Sequence, residues 1–234
     1  MDLDMAHDRI KELQSLYEDD YVDKFQKKQS PFRISRLLRY VQLPMDSDVA
    51  DFGCGNGMLL DYLHDKVRSY SGIDFSQHFI TAARNRQIES EISNADFFCE
   101  SIVSFCSHNH EKFDAVFTLD LAEHVYDKEW AEILTAIHRS LKLGGILYLH
   151  TPNGEFFVEI LKKKNILLHQ FKEHVAIRDV YENTRMVKNA GFSHYEVKLL
   201  PHYNVLRFFH FLSFFPIIGK YFKARIFIIA EKKM

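Results

Sequence analysis

Short apolar runs alternate with stretches of helical periodicity along most of the chain. The runs predict strands at 49–52, 69–73, 95–99, 113–119, 146–150, 192–199 and 225–230. Helical spacing of apolar residues predicts helices at 5–27, 32–41, 58–66, 77–86, 128–141 and 177–189. Strands that alternate with helices are typical of a mostly parallel sheet with both faces covered.

The predicted fold class is therefore α/β, with a Rossmann-like, seven-stranded, mostly parallel sheet and helices on both faces. No long helical crossover separates the last two strands, so we expect an antiparallel C-terminal edge strand, which forms an antiparallel pair with its neighbour at one edge of the sheet. The 234 residues suffice for a single domain, and the helices before the first strand predict an N-terminal helical lid.

The amino-acid composition limits the classes of function and the cellular compartment that we expect for this protein. A formal net charge of -2 argues against a dedicated nucleic-acid binder, which would carry a basic surplus. The three cysteines, Cys54, Cys99 and Cys106, form no C-x-x-C pair, and an odd number cannot all pair as disulfides. This cysteine usage is typical of a protein in a reducing cytoplasm. The charged N-terminus resembles no secretory signal, and no apolar run reaches the roughly 18 residues of a membrane span. We therefore expect a cytoplasmic protein.

The stretch "VADFGCGNG" places Gly53, Gly55 and Gly57 directly after the first predicted strand. Glycines at a strand-to-helix turn let backbone N–H groups approach a ligand at the positive end of the helix. The dinucleotide-binding pattern G-x-G-x-x-G is one residue longer. A ligand-binding turn and a tight structural turn both remain open from this stretch alone.

An acidic residue follows the second predicted strand, where "YSGIDFS" places Asp74. A carboxylate at this position can accept hydrogen bonds from both hydroxyls of a ribose. The residue supports a nucleoside ligand without choosing among cofactors. Alternatively, Asp74 caps the helix that begins near Ser76.

Four ordered segments, "VADFGCGNG", "GIDFS", "FDAVFTLDLAEHV" and "LKLGGILYLHTPN", closely resemble the class I S-adenosylmethionine-dependent methyltransferases. Two further segments, "SPFRISRLLRYV" and "LPHYN", resemble the N-P-L-R-L and L-H-Y-N segments of the ubiquinone-biosynthesis O-methyltransferase (UbiG-like, methyltransferase type 11) group. The resemblance implies S-adenosylmethionine as cofactor. It also implies a cofactor-binding core at 45–153, preceded by the lid at 1–44 and followed by a substrate-side region at 154–234.

The resemblance assigns roles to individual residues of the core. Gly53 and Gly55 would line the amino-acid part of S-adenosylmethionine, Asp74 would hold the ribose, and Phe75 would lie along the adenine. Arg33 would pair with the methionyl carboxylate, for which a guanidinium is well shaped. The alternative for Arg33 is a surface arginine on a lid helix.

The adenine edge departs from the family pattern. Where the family often has Gly-Asp after the third strand, this chain has "CESIVSF", with Ser101 in place of the acid. Adenine recognition would then be looser or use the Ile102 amide. The remaining residues that the resemblance implies for cofactor binding are Asp51, Cys54, Asn56, Ser76 and Leu119.

The segment "LDLAEHV" after the fourth strand brings Asp120, Glu123 and His124 close together in sequence. The corresponding segment of the UbiG-like group is E-x-x-E-H, which is associated with a divalent cation. Asp120, Glu123 and His124 are candidate ligands for Mg²⁺ or Mn²⁺. In the competing role, His124 acts as a general base. The alternative is helix capping by the two acids, with His124 packed beneath them.

Two later histidines are further candidates. The segment "FKEHVAIRDVYENTRMVKNAGF" resembles one of sugar and small-molecule methyltransferases in which His174 would face the acceptor. His150 closes the fifth predicted strand. The predicted function is O-methyl transfer to a small-molecule hydroxyl, either a phenol or catechol or a sugar of a glycan. An NAD-dependent dehydrogenase and a non-catalytic cofactor-binding scaffold are the alternatives.

The stretch 204–225 contains six phenylalanines, four cations and no acid. It is too short to span a bilayer. One interpretation is an interfacial segment at the inner face of a membrane, resting on anionic lipid. The alternatives are a lid packed on the protein's own core and a dimer contact.

Overall fold

The computed structural model describes residues 31–166, 168–171 and 173–233. The predicted helix at 5–27, and with it most of the predicted lid, lies outside the described residues. Within the described part the strands are β1 (Ser47–Phe52), β2 (Val67–Asp74), β3 (Ala95–Cys99), β4 (Phe113–Leu119), β5 (Leu141–Pro152), β6 (His194–Leu200) and β7 (Arg225–Glu231). They form a seven-stranded sheet in the order β3-β2-β1-β4-β5-β7-β6.

The α-helices are α1 (Pro31–Leu37), α2 (Leu60–Leu63), α3 (Gln77–Glu89), α4 (Ile102–Ser107), α5 (Asp127–Ser140), α6 (Phe157–Lys163) and α7 (Val180–Asn189). Short 3₁₀ helices occupy Leu38–Tyr40, Ala122–His124, Val205–Phe214 and Gly219–Phe222. The chain divides into two compact units, residues 1–105 and 106–234. The prediction of a single domain stays a prediction.

In the first unit, β1, β2 and β3 are parallel neighbours. Their apolar side chains, with Val49, Phe52 and Ile73 fully buried, exclude water from both sides of these short strands. Helix α3 covers them through Phe79, Ile80 and Ala83. The parallel register brings Asp51 opposite Gly72 and Asp74 opposite Cys99. The carboxyl ends of β1 and β2 therefore lie side by side.

In the second unit, β4 and β5 are parallel, and β7 runs antiparallel to both β5 and β6. The predicted antiparallel C-terminal pair is confirmed, with β7 lying between β5 and β6. Tyr148 stacks against Phe117 and Phe227 across three strands, with ring centroids 5.0 and 6.2 Å away. Amphipathic helix α5 buries Trp130, Leu134 and Ile137.

The structure confirms several predicted boundaries and corrects others. The strands at 95–99 and 113–119 are confirmed residue for residue. The predicted helix at 58–66 is wrong outside Leu60–Leu63, because turns on either side of that segment replace helical geometry. Helices α4 and α6, each of seven residues or fewer, were not predicted. Among the described residues, no helix is both long enough and apolar enough to cross a bilayer.

Candidate active site

The glycine stretch forms a left-handed turn after β1. Gly53, Gly55 and Gly57 have φ angles of 72°, 52° and 73°, a region that side chains with a Cβ rarely adopt. A Cβ at Gly57 would also lie 3.0 Å from a Phe97 ring carbon. The amides of Gly53 and Cys54 both donate to the Ile73 carbonyl, at 2.8 and 3.1 Å. These bonds fasten the turn to the end of β2, next to Asp74.

Asp74 connects the turn to the start of α3. Its Oδ2 accepts from the Gly55 amide at 3.0 Å and its Oδ1 from the Ser76 amide at 2.9 Å. The helix-capping alternative for Asp74 is wrong, because Ser76 is the N-cap and accepts from the Phe79 amide. Each carboxylate oxygen has a further lone pair, so Asp74 can still accept the two hydroxyls of a ribose.

Burial raises the pKa of Asp74 to about 6, although its bonds from the Ser76 and Gly55 amides oppose the shift. Asp51 is also buried, and Tyr70 donates a hydrogen bond to its Oδ2 at 2.6 Å. Burial raises the pKa of Asp51 to about 7, with the Asp74 charge adding to the effect. Two buried carboxylates make this turn electronegative, which suits a cationic ligand such as a sulfonium.

Asn56 provides a direct test of whether this turn fits a nucleoside cofactor. Its side chain is buried, and among the described residues neither its amide nitrogen nor its amide oxygen has a hydrogen-bond partner. An unpaired buried amide destabilises a fold by about 1–3 kcal/mol, so such groups are commonly satisfied by a ligand or water. The turn, the Asp74 carboxylate and the Asn56 amide therefore fit S-adenosylmethionine.

The other residues predicted for the cofactor are placed as follows. Phe75 is half-buried, and its carbonyl accepts from the Cys99 thiol. The Ser101 hydroxyl accepts from the Ser104 amide, and Ile102 is the first residue of α4. The contacts of Ser101 and Ile102 with adenine stay predictions. Arg33 lies half-buried on α1. Its pairing with a methionyl carboxylate stays a prediction.

Two more predicted residues complete the set. Cys54 is buried in the glycine turn, where burial raises the pKa of its thiol well above the ordinary value. Leu119 is the last residue of β4 and is half-buried. Their contacts with a cofactor stay predictions.

A polar network in the second unit centres on the fully buried His150 of β5. The His150 Nδ1 lies 2.7 Å from Asp120 Oδ1, and the Tyr203 hydroxyl lies 2.6 Å from its Nε2. The carboxylate favours a proton on Nδ1, so Nε2 accepts from the tyrosine hydroxyl. Arg225 adds a cation 3.3 Å from Asp120 Oδ1. Asp120 itself has a φ of 57°, an uncommon conformation that Asp tolerates better than most residues.

Glu123 is buried in the 3₁₀ turn Ala122–His124. The Thr151 hydroxyl donates to its Oε2 at 3.1 Å. Burial raises the pKa of Glu123 to about 8, and the nearby Asp120 charge contributes. The helix-capping alternative is wrong for both acids, because α5 begins later, at Asp127, with Tyr126 as its N-cap.

His124 is held by the segment that follows α6. Its Nδ1 lies 3.0 Å from the Glu173 carbonyl oxygen, which can only accept. The ring therefore carries its proton on Nδ1, which makes Nε2 the basic nitrogen. Burial lowers the pKa of His124 below its ordinary value, so the ring is neutral at pH 7.

His174 packs edge-on against His124, with ring centroids 5.0 Å apart. Burial and the neighbouring His124 lower the pKa of His174 to about 4. Glu123, His124 and His174 each offer a ligand atom, and these atoms lie within 4.8 Å of one another. This set differs from the predicted one, because Asp120 contacts His150 and Arg225. Two imidazoles and one carboxylate suit Mn²⁺ or Zn²⁺ better than Mg²⁺.

Sequence reasoning missed Arg178, which fixes the turn that carries Glu123 and His124. Its guanidinium donates to the carbonyls of Ala122 and Val125, both at 2.7 Å, and to Asp127 Oδ1 at 2.8 Å. Arg178 lies four residues after His174, in the segment that resembles one of sugar and small-molecule methyltransferases. Tyr203 was also missed as a site residue, although it lies in the recognised "LPHYN" segment.

Known proteins resemble this chain in sequence and in fold. Residues 49–145 match the model of a methyltransferase domain family. A ubiquinone biosynthesis O-methyltransferase of Xylella fastidiosa is 29% identical over 158 residues, which cover 62% of this chain and 61% of the relative. The chain spans about half the length of the curated relatives it matches, from 44% in a Pseudomonas aeruginosa relative to this 61%.

Solved structures show the same fold. An S-adenosylmethionine-dependent methyltransferase of Archaeoglobus fulgidus has a TM-score of 0.72 at 14% identity, covering 92% of this chain and all of that chain. A phosphoethanolamine N-methyltransferase of Haemonchus contortus, solved with S-adenosylhomocysteine, has a TM-score of 0.70 at 16% identity, covering 93% and 58%.

The fold is that of a class I nucleoside-cofactor transferase. Residues 49–145 match a methyltransferase domain, and the fold is that of the class I S-adenosylmethionine-dependent methyltransferases. S-adenosylmethionine is the cofactor of that class, and the first unit provides the residues that fit it.

Proposed function

We propose that the protein transfers the methyl group of S-adenosylmethionine to a hydroxyl oxygen of a small-molecule acceptor. The acceptor classes are a phenol or catechol, as in the relatives named for ubiquinone biosynthesis, and a sugar hydroxyl of a glycan precursor. The acceptor oxygen attacks the methyl carbon as the carbon–sulfur bond breaks. The products are the methyl ether, S-adenosylhomocysteine and one proton.

The observation that carries this proposal is the bond between His124 Nδ1 and the Glu173 carbonyl. It fixes a neutral tautomer whose Nε2 can take the hydroxyl proton as the oxygen becomes nucleophilic. A positioned base of this kind contributes roughly 10²–10⁴-fold to a rate. Arg178 holds the turn through two backbone carbonyls, so the ring is presented on a rigid element.

A divalent cation on Glu123, His124 and His174 is the second way to activate a hydroxyl. Such an ion would lower the pKa of a bound hydroxyl, and it would balance the buried Glu123 carboxylate. The ion would also occupy the His124 nitrogen that the base mechanism uses. Assays with added Mn²⁺, Mg²⁺ or EDTA distinguish the two, because the base mechanism predicts no loss of rate in EDTA.

The test begins with calorimetric titration of the full chain with S-adenosylmethionine and with NAD(H). We expect S-adenosylmethionine to bind and NAD(H) not to bind. Binding of NAD(H) alone would contradict the proposal.

The second step is an S-adenosylhomocysteine release assay over phenols, catechols and sugar acceptors, with His124→Gln and, as matched control, the exposed His110→Gln. We expect His124→Gln to lose about 10²–10⁴-fold in kcat with cofactor affinity unchanged, and His110→Gln to keep full activity. Full activity of His124→Gln would remove it as the base. Cofactor binding without turnover on any acceptor would favour the scaffold alternative.

A further inference from the structure

The segment between β6 and β7 exposes an unusual amount of apolar side chain. Phe214 is 83% exposed and Ile217 is 87% exposed, and Phe208 and Phe211 each expose more than half of their surface. We define the aromatic face as six of the exposed apolar residues of this segment, namely Phe208, Phe211, Phe214, Phe215, Ile217 and Ile218. Clusters of exposed large apolar residues on a protein mark contacts with a partner or a membrane.

The aromatic face is carried by an ordered, anchored segment. Leu206 packs against the buried cluster of Phe156, Val158 and Ala224. Phe157 of α6 contacts Phe209 and Phe222 from the same segment, with ring centroids 6.0 and 5.3 Å away. Its inner side chains therefore hold the segment on the second unit, while the outer ones point away from it. This geometry disfavours a lid whose phenylalanines are all packed on the protein's own core.

The charges within the segment that carries the aromatic face are of one sign. The segment carries Arg207, Lys220 and Lys223 and no acid from 204 to 225. Lys220 donates to Glu155 at 3.0 Å, and Arg207 lies over the Phe208 ring. The last turn of the neighbouring α6 carries Lys162 and Lys163, and Lys164 follows the helix. Apolar side chains rimmed by cations are complementary to an anionic lipid surface.

The same charges argue against a second copy of this chain as the occupant. In a symmetric dimer the same patch meets itself, so the cations of one copy would face those of the other. A bilayer that contains anionic lipid is complementary both to the cations and to the exposed apolar side chains of this segment. Its headgroups pair with the cations, and its acyl boundary takes up the phenylalanine rings.

We propose that the aromatic face docks the protein on the surface of a membrane that contains anionic phospholipid. The outward rings lie at the boundary between headgroups and acyl chains, with Arg207 and Lys223 among the headgroups. Docking is independent of methyl transfer, so its test needs neither cofactor nor acceptor.

The test is flotation of the full chain with vesicles of phosphatidylcholine alone and with an equimolar mixture of phosphatidylcholine and phosphatidylglycerol. We expect recovery with the anionic vesicles only, and weaker recovery at high salt because the headgroup attraction is screened. Recovery that is equal on both vesicle types, or absent from both, overturns the proposal.

Variants locate the contact. The double variant Phe211→Ser with Phe214→Ser should weaken binding about tenfold or more, since two large rings no longer leave water. The matched control replaces two exposed apolar residues elsewhere, Ile88→Ser with Leu143→Ser, and should bind like the unchanged protein. Unchanged binding by the first double variant, or equal loss in the control, places the contact elsewhere and contradicts the proposal.

A third experiment distinguishes binding to lipid from self-association of the protein. Light scattering without lipid should show one mass that does not change with protein concentration. A dimer that Phe214→Ser returns to monomer, together with no vesicle recovery, would assign the aromatic face to a second copy instead. Arg207→Glu with Lys223→Glu should reduce binding to anionic vesicles while leaving that mass unchanged.

Discussion

The two units present candidate sites that are built in different ways. In the first unit the site is mostly backbone: left-handed glycines and amides that converge on one buried carboxylate, Asp74. In the second unit it is mostly side chain: residues from Asp120 to Arg225 that meet around His150 and His124. A site built from the backbone suits a cofactor that all members of a class share. In a site built from side chains, the residues can differ between proteins that act on different acceptors.

The largest expected effect separates the two sites by cofactor affinity. Asp74→Ala removes the carboxylate that is predicted to accept both ribose hydroxyls, so we expect S-adenosylmethionine affinity to fall roughly a hundredfold, for two charge-assisted bonds of about 1.5 kcal/mol each. Calorimetric titration measures it. Asp96→Ala, an exposed acid on β3, is the control and should bind normally. An unchanged affinity for Asp74→Ala would mean that the ribose binds elsewhere.

A comparable effect on stability is expected in the second unit. Asp120→Asn keeps a residue that tolerates positive φ but removes the charge beside the buried His150 and Arg225. We expect about 2 kcal/mol lower free energy of unfolding in urea, because the buried network loses the carboxylate charge that lies beside both His150 and Arg225. Asp114→Asn, which loses a more exposed pair with Lys142, should cost less than about 1 kcal/mol. Equal losses of unfolding free energy in the two variants would show that the buried network contributes no more to stability than the more exposed ion pair.

The pH dependence of cofactor binding sharpens the comparison. Because the pKa of Asp74 is raised to about 6, its carboxylate takes up a proton as the pH falls through that value. The protonated form has fewer acceptors, so affinity should be constant above the pKa and fall below it, by at most about tenfold per pH unit. Titrations of the unchanged protein and of Asp74→Asn test this. A slope that survives in Asp74→Asn would assign it to another group.

The smallest expected effect concerns Tyr203. Tyr203→Phe keeps the ring and removes the hydroxyl that donates to His150 Nε2. Losing this one bond should lower the free energy of unfolding by about 1 kcal/mol. Urea unfolding measures the difference, and cofactor affinity in the first unit should not change. A change in that affinity would show that the two sites are not energetically separate.

The sequence predicted the backbone-built site of the first unit better than the side-chain site of the second. The glycine stretch and Asp74 are close in sequence, and the parallel register of β1 with β2 brings them together. The strands on which they lie were predicted from apolar runs alone. By contrast, the predicted metal set of Asp120, Glu123 and His124 rested on sequence adjacency. The 3₁₀ turn and the segment around Glu173 bring His174 to Glu123 and His124, while Asp120 contacts His150.

Apolar periodicity and local motifs by themselves determined the α/β alternation, the antiparallel C-terminal pair and the position of the glycine turn. These are local properties, since strand and helix periods and positive φ depend on neighbouring residues. Only the tertiary structure decided the tautomer of His124, the partners of His150 and the outward direction of Phe211 and Phe214. Each of these depends on contacts across 49 or more residues or on what the rest of the chain covers, and no local pattern encodes them.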